Sequence, residues 1–224
     1  MNNIVGSRMK TSKFWTLRWS AIKKNLVLTQ KQKSLIIGSL LGDGTMRVGH
    51  DAHNANFKVE QGLQQKDFVF WKYEILKPWV FTPPKLSYRY DSTGARYKKS
   101  WWFRTVRHPS LTSIYNQFYA DKVKIVPKKI DSQLNELGIA CWIMDDGSYS
   151  KSKIIDISTY SFTLEEVKKL LNVVSNKFSI QGKYYRDRDK GFRIYFSKNE
   201  TKKLINLIEP HIIDSMKYKI GHSS

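Results

Sequence analysis

Ile36-Ile37-Gly38-Ser39-Leu40-Leu41-Gly42-Asp43-Gly44 and Ile139-Ala140-Cys141-Trp142-Ile143-Met144-Asp145-Asp146-Gly147 read as two copies of one nonapeptide. Each is an apolar run of helical length that ends in Asp-Gly. A glycine just after the last apolar residue is the expected helix stop, because glycine alone enters the left-handed region without penalty. An aspartate immediately before it is unexpected. The negative end of the helix dipole disfavours a carboxylate there by up to about 1 kcal/mol. One such aspartate reads as a local turn residue. Two of them, at matching positions of two remote segments, point to carboxylates brought together for a shared purpose.

The composition of the two runs says how they would meet. Gly38 and Gly42 stand four apart on one helix face, and Ala140 with Cys141 offers small residues on the second helix. Small residues let two backbones approach closely, which would align the C-terminal ends and set Asp43 beside Asp146. Two carboxylates in contact repel and cannot both ionise cheaply without a cation between them. Hard oxygen donors with few other partners select Mg²⁺, which keeps several waters and takes remaining ligands from phosphate. A phosphodiester held there would be open to in-line attack by water with metal assistance.

The charge balance fits such a partner. The 224 residues include 39 Lys and Arg against 19 Asp and Glu, a formal net charge of +20, which opposes compaction unless a polyanion binds. The basic residues are interleaved with aromatics along the whole chain, as in Arg89-Tyr90, Trp101-Trp102-Phe103-Arg104 and Tyr184-Tyr185-Arg186. That is the footprint of a folded nucleic-acid-binding surface rather than of a basic tail. No run approaches the ~18 apolar residues of a membrane span, and no secretory signal is visible. The single cysteine excludes internal disulfides and Cys-rich zinc sites and places the chain in a reducing compartment, an organelle or the cytoplasm. Cys141 itself reads as a small buried packing residue.

Punctuation by caps, prolines and turns divides the chain into two similar halves. Residues 1–28 form a basic arm, which resembles a transit peptide in composition but reads better as an arm that touches phosphate. In residues 29–121, Thr29 and Gln32 have capping-box spacing before a helix to Leu41. Strands follow at 45–49 and 54–61, then a helix over 66–76 with Phe68, Trp71 and Ile75 on its apolar face. Further strands at 86–91 and 98–106 and a helix over 109–120 close this half. Residues 122–132, with Pro127, form a linker. Residues 133–224 repeat the order. Asn135 is the N-cap of the second Asp-Gly helix, and strands lie at 148–150 and 154–159. A helix from Thr163 to 178 and strands at 183–188 and 192–197 follow, then helices over 199–209 and 210–219. A repeat this long is read as a pseudo-twofold α+β protein.

With the two nonapeptides, Lys124-Ile125-Val126-Pro127, Ser161-Phe162-Thr163 and Lys217-Tyr218-Lys219 in place, the chain resembles the LAGLIDADG homing endonucleases of the single-chain, two-motif type. The resemblance implies two αββαββα halves around two central packed helices, with a saddle of antiparallel strands over the DNA major groove. It implies a monomer that cuts double-stranded DNA at a long asymmetric site with two or three divalent ions, Mg²⁺ foremost. Asp43 and Asp146 are implied to bind metal, and the backbone carbonyls of Gly42 and Asp145 to complete the cage. Lys124 and Lys219 match positions of a basic residue that orders solvent or stabilises the transition state. Gln61 matches a polar residue supporting metal-bound water, with Tyr160 as its unequal counterpart. The same fold serves intron RNA maturases, so an RNA-binding splicing role remains an alternative or an addition.

Strand alternation suggests the reading surface. Phe192, Ile194 and Phe196 would face the helices and leave Arg193, Tyr195 and Ser197 for the groove, and by the same rule Arg47, Lys58, Arg104 and Arg186 are candidates. For any one of them a phosphate contact is as compatible with the sequence as a base contact. His50 and His53 lie in a turn-like stretch without cysteine partners and are set aside as ligands. Trp15 and Trp19 on the arm read as packing residues before base-stacking ones.

Overall fold

Thr29 opens the first helix as its sequence requires. In the computed structural model, which describes residues 20–49 and 53–222, Thr29 Oγ1 accepts from the Gln32 amide and Gln32 Oε1 accepts from the Thr29 amide. Most of the basic arm, with Trp15 and Trp19, lies outside the described residues, as does His50.

The capped helix α1 (Gln30–Leu41) leads to strands β1 (Thr45–Val48) and β2 (Ala55–Gly62), helix α2 (Lys66–Leu76), strands β3 (Lys85–Tyr90) and β4 (Arg96–Arg104), and helix α3 (Pro109–Phe118). A two-residue hairpin, β5 (Tyr119–Ala120) and β6 (Val123–Lys124), then turns through Asp121 and Lys122, both at positive φ. The stretch read as a linker therefore holds ordered backbone, and the short helix α4 (Ile130–Gln133) begins inside it. The second half runs α5 (Glu136–Asp146), β7 (Gly147–Tyr149), β8 (Ile155–Ser158), α6 (Leu164–Phe178), β9 (Gly182–Arg186), β10 (Phe192–Phe196) and α7 (Lys198–Ile208). Asn135 caps α5 through the Gly138 amide, and Thr163 with Glu166 forms the capping box of α6. The helix expected over 210–219 is instead two 3₁₀ segments, Glu209–His211 and Asp214–Ile220. Ile213 is extended (φ −75°, ψ 153°), so an α-helix cannot run through 210–219.

Each half contributes one antiparallel four-stranded sheet with the same strand order, β1-β2-β4-β3 and β7-β8-β10-β9. This is the α+β architecture with pseudo-twofold halves. One face of each sheet is packed against helices: Ala55, Phe57, Val59 and Gln61 alternate inward along β2, and Ile155 and Ile157 do so along β8. The buried side chains of both halves form one continuous core. Among the described residues no helix is long and apolar enough to cross a membrane.

The two Asp-Gly helices form the seam, with Gly38 and Gly42 of α1 in it as their spacing predicts. On α1 the stripe is Ser34, Gly38 and Gly42, and on α5 it meets Asn135, Gly138 and Asp145. A Cβ on Gly38 would fall on the backbone carbonyl of Gly138, and one on Gly42 would come 2.5 Å from the Asp145 Cβ. The glycines that end the motifs also have a different reason from the left-handed stop. Gly42 (φ −107°) and Gly147 (φ −76°) cap their helices outside the left-handed region. A Cβ on Gly44 or Gly147 would meet the helix carbonyls of Ser39 or Ile143 at 2.7 and 2.6 Å, so close approach is what excludes other residues.

Candidate functional site

The parallel packing of α1 against α5 places both motif ends together. Asp43, one residue beyond the α1 cap, is exposed, whereas Asp146, the last residue of α5, is half-buried. The Gln61 side-chain amide, reaching from the end of β2, donates to Asp43 Oδ2 at 3.1 Å and to Asp145 Oδ1 at 2.7 Å. Burial, and then the neighbouring charges of Asp43 and Asp145, push the Asp146 carboxyl up to about 7, with Lys124 and Lys219 opposing. The acids thus converge on one another despite their separation in the chain.

The seventh and ninth residues of both motifs are engaged in the same way. Lys124 Nζ, on β6, donates to the carbonyls of Gly42 at 2.8 Å and Gly44 at 2.9 Å. Lys219 Nζ, on the last 3₁₀ segment, donates to the carbonyls of Asp145 at 3.3 Å and Gly147 at 2.7 Å. Each lysine satisfies carbonyls left open by a helix C-terminus and opposes its dipole. Burial lowers the pKa of both ammonium groups, against the three carboxylates that raise it.

Asp145 differs from the other two acids. Its side chain is fully buried and bonded to Lys72 Nζ at 2.8 and 2.9 Å, so its carboxylate is sequestered while its carbonyl faces Lys219. Burial pushes the Asp145 carboxyl up, to about 6, and Lys72 pulls it back. Sequence reading missed Lys72. The fully buried residues of α2 are Phe68, Val69, Lys72 and Leu76, and the expected Trp71 and Ile75 pack partly buried against the same core. A lysine four residues after Phe68 and four before Leu76 was the available signal. Cys141 is buried, and its thiol is pushed up to about 12, which fits packing rather than reactivity.

Strand register corrects the counterpart of Gln61. Gln61 lies opposite Trp101 and Val59 opposite Phe103, while Ile157 lies opposite Ile194. Stepping two residues from Ile157 gives Thr159, which is buried and donates to the Phe192 carbonyl at 2.6 Å. Tyr160, one residue on, is turned outward, where its hydroxyl donates to Asp187 and accepts from Arg193.

The outward sheet faces carry most of the expected cations. Arg47, Lys58 and Arg104 share one face of the first sheet, with Lys58 opposite Arg104 and Arg47 opposite Asn56. Arg193 and Tyr195 share the corresponding face of the second sheet with Asp156, Ser158, Lys183 and Tyr185. One expectation fails here: Arg186 pairs opposite Phe192, so it lies on the helix-side face of the strand end. Ser197 is exposed one residue beyond β10, as the N-cap of α7. Lys58 is held by Glu60 at 2.5 Å, and the Arg193 guanidinium by Asp156, Ser158 and Tyr160. In contrast, Lys23, Lys85, Arg104 and Arg107 line a cavity of about 320 Å³ beside Trp102 without an acid in its wall. None of these four forms an ion pair with a carboxylate among the described residues. His53 is exposed, and among the described residues no group of three or more His, Cys, Asp and Glu side chains is arranged to hold a metal. Any cation at the motif ends therefore needs oxygen donors besides carboxylates.

The raised Asp146 pKa fixes the sign of a stability effect. The folded protein holds this proton between about pH 4 and 7, where the unfolded chain, with a value near 3.8, has released it. Stability of the metal-free protein is therefore expected to fall as pH rises through that window. Thermal melts in chelator should show Asp146→Asn raising Tm at pH 8 and leaving it unchanged at pH 4. An equal gain at both pH values would refute the electrostatic account.

Comparison with known proteins gives concordant results. A sequence profile described as the LAGLIDADG DNA endonuclease family matches residues 33–204. DNA endonuclease I-ChuI of Chlamydomonas applanata is 32% identical over 209 residues, which cover 87% of this chain and 96% of that protein. Cytochrome b mRNA maturase bI2 of Debaryomyces hansenii is 26% identical over 222 residues, 97% of this chain and 84% of the relative. Among solved structures, the homing endonuclease I-WcaI bound to its DNA recognition sequence has a TM-score of 0.83 at 24% identity, covering 92% of each chain. At that identity the likeness concerns the fold.

Proposed function

The chain belongs to the LAGLIDADG DNA endonuclease family, and we propose that it is a monomeric homing endonuclease cutting double-stranded DNA at a long asymmetric site with Mg²⁺. The observation that carries this reading is the convergence of Asp43 and Asp146 at the paired helix ends, ringed by backbone carbonyls that already accept cations. The ammonium groups of Lys124 and Lys219 lie on the carbonyls of Gly42 and Asp145, so this donor set suits a positive charge. With only two carboxylates free to ligate, hard oxygen donors favour Mg²⁺ completed by water and phosphate. Asp43, Asp146 and the carbonyls of Gly42 and Asp145 would hold it, and when bound it supplies charge stabilisation to the attacking and leaving oxygens.

The remaining groups do their work from this chain. Gln61 keeps Asp43 oriented by its hydrogen bond. Lys124 and Lys219, with pKa values lowered by burial, hold a proton at Nζ within reach of the motif ends, where they order solvent or offset charge on the phosphate. Arg47, Lys58 and Arg104 face the groove from the first sheet, and Arg193 and Tyr195 from the second. The pre-formed bonds of Arg193 hold its guanidinium in one orientation, whereas a free arginine would lose rotamer freedom on binding. Because the outward residues of the two sheets differ, the two half-sites differ. A cleavage screen on a randomised DNA library with and without Mg²⁺ tests the reading. A single asymmetric cut site dependent on the ion supports it, and absence of any cut site overturns it.

The cations around Trp102, which have no acid beside them in the cavity wall, lead to a salt prediction. Lys85→Ala with Arg107→Ala should weaken DNA binding in Ca²⁺ and lower the slope of log K against log salt by about 0.9 for each phosphate no longer neutralised. Fluorescence anisotropy across salt concentrations measures this. An unchanged slope would remove the cavity from the interface. A second role, binding intron RNA as a maturase does, is favoured by the likeness to a maturase across nearly the whole chain. Competition between intron RNA and target DNA for the protein tests whether one surface serves both.

A further inference from the structure

We propose that Lys72 is a positioning residue that sets Asp43 through a chain of hydrogen bonds, running from the buried Lys72 through the buried Asp145 and Gln61 to the exposed Asp43. The chain starts on α2 of the first half, crosses to α5 of the second and returns through β2. Lys72 and Asp145 have side chains 1% and 0% exposed. The ammonium also lies over the Phe68 ring, 4.1 Å from its centre. Gln61 is itself buried and spends its side-chain N–H groups on Asp145 and Asp43.

Packing alone does not require this ion pair. Val69, Lys72 and Leu76 on α2 have the burial spacing of Val167, Leu170 and Val174 on α6. Leu170 thus stands where Lys72 stands, and Gly42 where Asp145 stands. The other half fills the same place without charge, and an apolar pair often replaces a buried ion pair at no loss of stability. What the charged pair adds is a carboxylate oxygen fixed in front of Gln61. With Asp145 held by Lys72, the Gln61 amide has one orientation, and that orientation fixes Asp43 Oδ2. Among the described residues no such chain serves Asp146, because Thr159 at the equivalent register donates to the Phe192 carbonyl. The two motif acids are therefore held by different means, and disturbing Lys72 should disturb the two strand cleavages unequally. The cleavage consequence rests on the reading of Asp43 as a metal-binding acid. The chain of bonds does not.

Lys72→Leu combined with Asp145→Gly copies the Leu170 and Gly42 arrangement and leaves no unpaired buried charge. In the metal-free, DNA-free protein, the side-chain amide signals of Gln61 in an ¹H–¹⁵N NMR spectrum should shift toward those of a solvated glutamine. Their exchange with solvent should be at least about tenfold faster. With strand-labelled DNA and Mg²⁺, one strand should be cut more slowly than the other by up to about 10²-fold, so that nicked DNA accumulates. Gln61→Met, which leaves the ion pair intact and breaks the next link, should give the same strand bias and decides the matter should the double variant not fold. An unmoved Gln61 amide in the double variant, or equal slowing of both strands in Gln61→Met, overturns the proposal. A wild-type protein that cuts neither strand would instead remove the proposed function, and the amide signals would still decide the chain.

Discussion

Asp43→Asn or Asp146→Asn is expected to abolish Mg²⁺-dependent cleavage, with a loss of about 10³-fold or more, the upper range for removing a charge-stabilising group from a reacting centre. Each change removes one of the two free carboxylates at the helix ends while keeping side-chain volume and the hydrogen bond that Asp43 accepts from Gln61. DNA binding in Ca²⁺ should survive, because the outward cations of both sheets are untouched. Asp146→Asn also relieves the repulsion that raises the Asp146 pKa, so the variant should be no less stable than the parent in chelator. That combination, intact fold and binding with lost cutting, separates a catalytic acid from a structural one. Asp145→Asn makes the contrast. It leaves Lys72 as a buried ammonium without its counter-charge, so its expected loss is of stability, about 3–5 kcal/mol. Measured by cleavage kinetics and denaturation side by side, the three variants should divide into two that fold without cutting and one that folds poorly. Retained cutting by both Asp43→Asn and Asp146→Asn would rule out the assignment.

Features governed by neighbours in the chain are legible in the sequence. Thr29 with Gln32, Thr163 with Glu166, and Asn135 all cap the helices their spacing predicts, because a cap joins residues only three apart. The strand positions follow from alternation for the same reason. What escapes the sequence depends on register and on what the other half brings. Counting along one strand makes Tyr160 the counterpart of Gln61, but a one-residue slip turns a side chain to the other face. The same slip puts Arg186 on the wrong side of β9. Lys72 is hidden because a buried lysine is intelligible only once Asp145 from the other half is beside it. The 3₁₀ ending escapes because Pro210 suits the first turn of an α-helix equally well, and nothing nearby in the sequence marks the extended Ile213.

The seam glycines set the second large effect. Gly38→Val is expected to destabilise the protein by about 3 kcal/mol or more, the upper range for forcing volume into a closed contact. The added Cβ would fall on the Gly138 carbonyl, and the Gly138 carbonyl carbon and Cα would both be 2.8 Å away. These are backbone atoms within α5, so no side chain can rotate away. Relief requires the two helices to separate, which strains every contact between the halves. Gly62→Ala is the matched control. Gly62 has φ −56° and nothing within 4 Å of its added Cβ, so the change should be neutral or stabilise by up to about 1 kcal/mol through the unfolded chain. Urea denaturation midpoints distinguish the two. Separation of the helices also moves Asp43 from Asp146, so the milder Gly38→Ala should lose cleavage out of proportion to its lost stability. A Gly38→Ala protein with the parent's midpoint and cutting rate would mean that close backbone contact at the seam does not hold the two acids together.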